Sequence, residues 1–307
     1  MLSKEEDKIE EKITRFGLAS IEENFEEGVR EALDSLAELS MDYLNSMKVS
    51  DAERTVISIK DIGKAAVMQG MENAAVSAIR SLEKILQCSM ERDTEGTTVR
   101  VLLSFGTIGK TAAENQLEMV AKLAASVLGG SGNTAALRKK EKEIVAVAIG
   151  LGEIGKSVAR QRIPDFSENA ATCISCLGDT GKLAAQQNLE EAAVGVELML
   201  EEMALTAMME NLQSAVGSIA ESLEEIGKSA EDEKMENAVF QATSALQTIM
   251  TDAGNRYLND ASIAAKLALE SFDEVDIIND EENIKKIEEI RGTMKELWMD
   301  TATRKKR

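Results

Sequence analysis

Six glycines recur in this chain on one spacing, and that spacing limits what it can fold into. Gly17, Gly63, Gly109 and Gly155 each lie 46 residues after the one before, and Gly181 and Gly227 are again 46 apart. Only the join from Gly155 to Gly181 is shorter, at 26 residues. The surroundings repeat as well. One residue before each glycine stand Phe16, Ile62, Ile108, Ile154, Thr180 and Ile226, and four before stand Ile13, Ile59, Phe105, Leu151, Leu177 and Leu223. Spacings of three and four put such residues on one face of a helix. Nine residues after the glycine, five units carry an acid: Glu26, Glu72, Glu118, Glu190 and Glu236. An apolar residue precedes each, and Asn24, Gly70 or Asn188 precedes that in three units, as at a helix C-terminus that closes through a left-handed residue. Beyond the acid runs a second stripe, ending on Leu36, Leu82, Leu128, Leu200 and Leu246. Each unit therefore reads as a helical hairpin, followed by a looser link such as SMERDTEG or GGSGN. One hairpin cannot bury its own apolar face, but a stack of them can.

Composition agrees. Hydrophobic residues make up 44% of the chain but aromatics only 3%, and Pro164 is the single proline. Sheets favour β-branched and aromatic residues and turn punctuation, so the expectation is all-α. The predicted fold is a solenoid of six or seven hairpins over residues 1–300, one domain. A half-step near 160–190 is expected to kink the stack or change its register, because the helix around 165–187 would close one hairpin and open the next. The stretch from Ala261 to Ile290 keeps helical spacing without the glycine and is expected to act as a polar cap. Residues 301–307, TATRKKR, are expected to form a basic disordered tail.

The strings AVAIGLGEIGKSV, ISIKDIGKAA, LLSFGTIGKTA and ESLEEIGKSA resemble the first helices of HEAT-type repeats, which end near L-G-x-I-G. The turn here lacks the Asp and Pro common in that family. The resemblance implies a right-handed solenoid of the HEAT or armadillo kind, used as a binding scaffold and without catalytic residues.

One motif points elsewhere. Residues 150–157, GLGEIGKS, match the phosphate-loop pattern G-x-x-x-x-G-K-[ST] in full. Its second half is the repeat's own IGKS, however, and only Gly150 completes the match where sister units have Ser104 and Ser222. A working loop must join a strand to a helix, and the preceding residues continue the helical stripe. Nucleotide binding is therefore the alternative reading and no cofactor is expected. Cys173 and Cys176 spell C-x-x-C, but zinc needs two more ligands and the chain has no histidine and one further cysteine, Cys88. Packing is the reading for these thiols, with no metal. The absence of histidine also removes the commonest general base, so no enzyme is predicted.

The candidate partner-binding residues are two sets. Lys64, Lys110, Lys156, Lys182 and Lys228 form a row one position past the glycines, either as solvated charge or as a basic ladder. Met199, Met203, Met208 and Met209 lie in a methionine-rich stretch of the kind adaptable binding surfaces use. The net charge of −20 opposes nucleic acid and suits a basic or peptide-like protein partner. No run approaches the roughly 20 apolar residues a membrane span needs. The expected role is a cytoplasmic, non-enzymatic scaffold for another protein, with end-to-end self-assembly as a further alternative.

Overall fold

The computed structural model describes residues 2–161, 168–272 and 281–303, and among these it contains helices and no strand. In chain order these are α1 (Leu2–Glu22), α2 (Glu26–Asn45), α3 (Val49–Met68), α4 (Glu72–Glu91) and α5 (Glu95–Glu114). Then follow α6 (Glu118–Leu137), α7 (Glu141–Arg160), α8 (Glu168–Gln186) and α9 (Glu190–Met209). The last four are α10 (Gln213–Asp232), α11 (Glu236–Asn255), α12 (Asn259–Glu270) and α13 (Glu281–Thr303). The chain is an α-solenoid. The expected tail begins later than its predicted boundary, since α13 runs to Thr303; residues 304–307 lie outside the described residues.

The links explain the period. Every described link from α1 to α7, and again from α8 to α12, is three residues long. Its middle residue is left-handed: Asn24, Met47, Gly70, Asp93, Gln116, Lys139, Asn188, Asn211, Lys234 and Tyr257 have φ between 54° and 71°. The third residue's N–H then reaches back into the last helical turn, as in Phe25 to Ser20 (2.7 Å) and Met71 to Ala66 (2.9 Å), the Schellman closure. That third residue also packs back onto the core, with Met71, Leu189, Met235 and Leu258 buried. The looser alternate links expected at SMERDTEG and GGSGN are absent among the described residues. SMERDTEG supplies only Arg92, Asp93 and Thr94 to a link, and GGSGN lies wholly inside α6. The elementary unit is thus one helix plus one link, 23 residues, and 46 is two of them. Most link centres are not glycine, which leaves a strain that glycine would relieve. Met47→Gly, at an exposed position, is expected to raise stability by about 0.5–1 kcal/mol in urea unfolding.

The chain divides into two compact units, Met1–Val127 and Leu128–Arg307. In the first, α1, α3 and α5 stack in one row while α2 and α4 stack in another. In the second, α7, α9 and α11 form one row, and α8, α10 and α12 form the other. The signature glycines are notches within these rows. A Cβ on Gly17 would stand 2.8 Å from Ile62 Cδ1 and 2.9 Å from Ala32 Cβ. On Gly63 it would stand 2.8 Å from Ile108 and 2.7 Å from Ala78, and on Gly181 2.5 Å from Ile226 and 2.9 Å from Val196. The isoleucine before one glycine therefore enters the notch of the glycine before it, and a small residue of the partner helix closes the side.

At the short join the signature changes row. Gly155 is on odd-numbered α7, whereas Gly181 and Gly227 are on even-numbered α8 and α10. The link between α7 and α8 has four residues more than the others, and most of it, 162–167, lies outside the described residues. α9 then follows α7 in its row without a signature isoleucine to offer. Met199 and Met203 fill the notches of Gly152 and Gly155 instead.

The C-terminus departs from expectation. α12 stacks on α10 and α11 as the last member of its row, but α13 does not cap the stack. It lies across α7, α9 and α11, burying Ile287, Ile290 and Met294 against them. A cap needs one polar face along the stack axis, whereas α13 has a narrow apolar stripe with cations beside it. That pattern suits a groove between helices.

Candidate functional site

GLGEIGKS sits in mid-helix. Gly150 to Ser157 are continuous turns of α7, so their backbone N–H groups are spent on helical bonds and do not converge on an anion. The lysine is engaged as well. Lys156 Nζ lies 2.6 Å from carboxylate oxygens of both Glu153 and Glu202, with its side chain only 12% exposed. Burial by itself would lower its pKa, but the hydrogen bonds to Glu153 and Glu202 outweigh burial and raise it. Addition of ATP with magnesium is accordingly expected to leave the melting temperature unchanged, and a saturable rise would restore the nucleotide reading.

Of the other lysines, two are paired. Lys182 bonds Glu225 at 3.0 Å, and Lys228 bonds Glu231 at 2.7 Å while its Nζ lies 5.0 Å from the Phe272 ring centroid. Lys64 is exposed and Lys110 half-buried. The methionine stretch divides sharply. Met199, Met203 and Met208 are buried, the first two as notch fillers, so these three are core and not surface. Met209 is 58% exposed. With Leu205 and Glu202 it forms an outward stripe on the second half of α9.

The C-x-x-C thiols also pack. Cys173 is fully buried beside Gly155, and Cys176 occupies the notch of Gly129 on α6. Burial pushes both thiols up, which makes them poor nucleophiles and poor metal ligands. No group of three or more His, Cys, Asp or Glu placed to hold a metal occurs among the described residues.

The feature with functional geometry is the outward face of the odd-numbered helices, taken in each unit by itself. In the first unit, arginine–carboxylate pairs close this face. Arg54 of α3 lies 3.6 Å from Glu10 of α1, and Arg100 of α5 lies 3.5 Å from Glu53 of α3. Both arginines occupy the sixth position of their helix. In α7 and α9 that position holds Ala146 and Gly195, so the side chains that would close the face are missing. α13 occupies the space. A Cβ on Gly195 would stand 3.4 Å from Val145 and 3.6 Å from Met294 Sδ. α13 also brings the cations: Lys286 lies 3.8 Å from Glu190 and Arg291 3.6 Å from Glu201.

Glu190 and Glu201 face α11 too. The Asn237 N–H donates to Glu190 at 2.8 Å and Gln241 Nε2 donates to Glu201 at 2.9 Å. On the same stripe of α9, seven residues past Glu190 and four before Glu201, sits Glu197. It is fully buried and neither oxygen has a hydrogen-bond partner. Burial holds its carboxyl well above the usual carboxylate range, and the charge of Glu190 adds to the rise.

Sequence reading missed both α13's position and Glu197. One signal was available. Glu197 stands eighth in its helix, and by the 46-residue register Glu10 of α1 is its counterpart. Glu10 pairs with Arg54 and accepts a hydrogen bond from Ser58 at 3.1 Å. At the position corresponding to Arg54, α11 carries Gln241, which bonds Glu201 instead.

A solved structure described as a circular tandem repeat protein with novel repeat topology and enhanced subunit contact surfaces is similar to this chain. The match has a TM-score of 0.55 and 14% sequence identity, and covers 95% of this chain and 74% of that one. The likeness is one of fold. It supports a helical repeat without marking it as HEAT. No family model matches the chain, and no curated protein does. Among the described residues, no helix is long and apolar enough to cross a membrane.

Proposed function

We propose that this chain is a non-enzymatic helical-repeat scaffold that binds another protein along the outward face of α7, α9 and α11 in its second unit. One observation carries the reading: in the second unit that face already holds a helix, α13, through an apolar stripe and two cation–carboxylate pairs. Helix-in-groove contacts of this kind are a recurrent mode of peptide recognition. The abundance of carboxylates on the face, Glu141, Glu190, Glu191, Glu201 and Glu202, favours a partner with basic residues. No nucleophile, base and oxyanion donor come together among the described residues, so binding rather than catalysis is the role assigned.

The test is site-specific photo-cross-linking in the native cells. A photoreactive residue at Leu205, on this face of α9, is expected to capture a distinct protein. The same residue at Glu221, exposed on α10 of the other row, is expected to capture none. Equal capture from both sites, or none from Leu205, would remove the proposal.

End-to-end self-association is a second reading, favoured by the outermost helices. On α1, Ile9 and Phe16 are 49% and 46% exposed, and Phe16 holds the position from which Ile62 and Ile108 enter a preceding glycine notch. On α12, Ile263 and Leu267 are 56% and 61% exposed. Concentration-dependent light scattering that vanishes in Phe16→Glu would support it, and an invariant monomer would exclude it.

A further inference from the structure

Resting on the scaffold reading, we infer that the face over α7, α9 and α11 is a docking groove for an amphipathic partner helix with cations beside its apolar stripe, and that α13 is its displaceable occupant in cis. Three independent observations lead there.

The first is how little of α13 is buried. Of its side chains Ile287, Ile290 and Met294 are buried, while Ile284 and Met299 stay 42% and 50% exposed. By contrast α9 is buried without a break from Ala192 to Leu200. The two ion pairs that flank the stripe are long, at 3.8 and 3.6 Å, and half-exposed on the α13 side. Pairs of that kind add little beyond specificity. Ten residues, 271–280, connect α12 to α13, where three suffice for every other described link in this unit except that before α8.

The second is an imperfect fit. A cleft of about 280 Å³, open to solvent, lies between α13 and the row it crosses, bounded by Glu141, Val145 and Glu191 on one side and Lys286, Ile290 and Met294 on the other. A helix with larger side chains at the places of Ile290 and Met294 would fill it.

The third is electrostatic. Where α3 and α5 carry Arg54 and Arg100, the groove has Ala146 and Gly195, and its carboxylates Glu190 and Glu201 take their cations from α13. The face has one cation of its own at the cleft, Lys142 of α7, against the carboxylates Glu141, Glu190, Glu191 and Glu201, so an occupant that brings further cations suits it. A partner helix satisfies this by placing Lys or Arg five residues apart on either side of an apolar i, i+3, i+7 stripe, as Lys286 and Arg291 flank Ile287, Ile290 and Met294.

The test uses the full chain. Lys286→Glu combined with Arg291→Glu removes both pairs and sets like charges against Glu190 and Glu201, which should release α13 from the groove. A fluorescently labelled peptide of residues 281–303 is then the probe, read by anisotropy, with helix content checked by circular dichroism. The double variant is expected to bind the peptide at least tenfold more tightly than the unaltered chain, and adding Gly195→Arg is expected to abolish that gain. Absence of peptide binding in a fully helical double variant would overturn the inference. If the double variant fails to fold, native-state hydrogen exchange of the unaltered chain decides. α13 amides that exchange ahead of those in α9, and faster still with excess unlabelled peptide, support a displaceable helix. Exchange of α13 only together with α9 overturns it. The two proposals also part experimentally. If Leu205 captures a foreign protein while the peptide does not bind, the groove falls and the scaffold stands. Should the peptide bind and Leu205 capture nothing, the groove stands and the scaffold falls.

Discussion

Gly181→Leu is expected to destabilise the protein by about 3 kcal/mol or more, the upper part of the range for forcing extra carbons into a packed core. The reason is local and double. A Cβ alone would stand 2.5 Å from Ile226 Cδ1 and 2.9 Å from Val196 Cγ1, so the clash meets both the next helix of the row and the hairpin partner. Neither neighbour can swing aside cheaply, since Ile226 and Val196 are fully buried and branched at Cβ. Relief must therefore come from separating α8 and α10, which would disturb the packing of every helix in that row. A double-mutant cycle checks the mechanism. Ile226→Ala alone should cost about 2–5 kcal/mol as a cavity. Joined to Gly181→Leu it should cost clearly less than the sum, with a coupling of about 1–3 kcal/mol measured by urea unfolding. Simple additivity would mean that the glycine acts through backbone flexibility instead. Gly217 offers the control, because nothing lies within 4 Å of a Cβ there. Gly217→Ala should raise stability by about 0.5–1 kcal/mol through helix propensity.

This ladder was legible in the sequence because it is periodic. A residue that every second helix needs in the same place leaves a 46-residue mark, and the helix faces followed from the three- and four-residue spacings around it. The 23-residue unit beneath it was hidden for a chemical reason. The left-handed link centre is Gly70 or Asn in some links, but Met47, Gln116, Lys139, Lys234 and Tyr257 in others, residues that give no turn signal. The tenfold use of one closure among the described links let the stack tolerate poor turn formers that a lone turn would not. The candidate binding residues fared worse. A methionine stripe looks the same whether it faces a partner or a glycine notch, and only the row change at α8 sends Met199 and Met203 inward. The position of α13 was illegible because it is a one-off contact. Its apolar stripe is consistent with a stacked helix, and what distinguishes the groove is the loss of two arginines at Ala146 and Gly195, a signal readable only against the register of the other helices.

Glu197 is the second residue whose replacement should matter greatly, and in the opposite direction. Glu197→Met is expected to stabilise the protein at neutral pH by about 1–3 kcal/mol, since an apolar side chain of similar size removes a desolvated acid without hydrogen bonds. The pH dependence gives a sharper check. Below the unfolded carboxylate value of about 4.3, Glu197 is neutral in both states and its charge costs nothing. As the pH rises past that value the unfolded chain releases the proton while burial keeps it on the folded one. The folded state then binds more protons, and stability falls with pH until the raised folded value is passed. The gap between wild type and Glu197→Met should therefore open from about pH 4.3 upward and level off above the folded value, while contributions common to both proteins cancel. Gln241→Arg tests the same acid from the other side. It rebuilds at α11 the arrangement in which Arg54 meets Glu10, so the buried charge gains a partner. Stability of this variant should then fall less with rising pH than that of the wild type. An unchanged pH profile in both variants would mean that Glu197 is reached by solvent, and that α9 and α11 part there more readily than their packing implies.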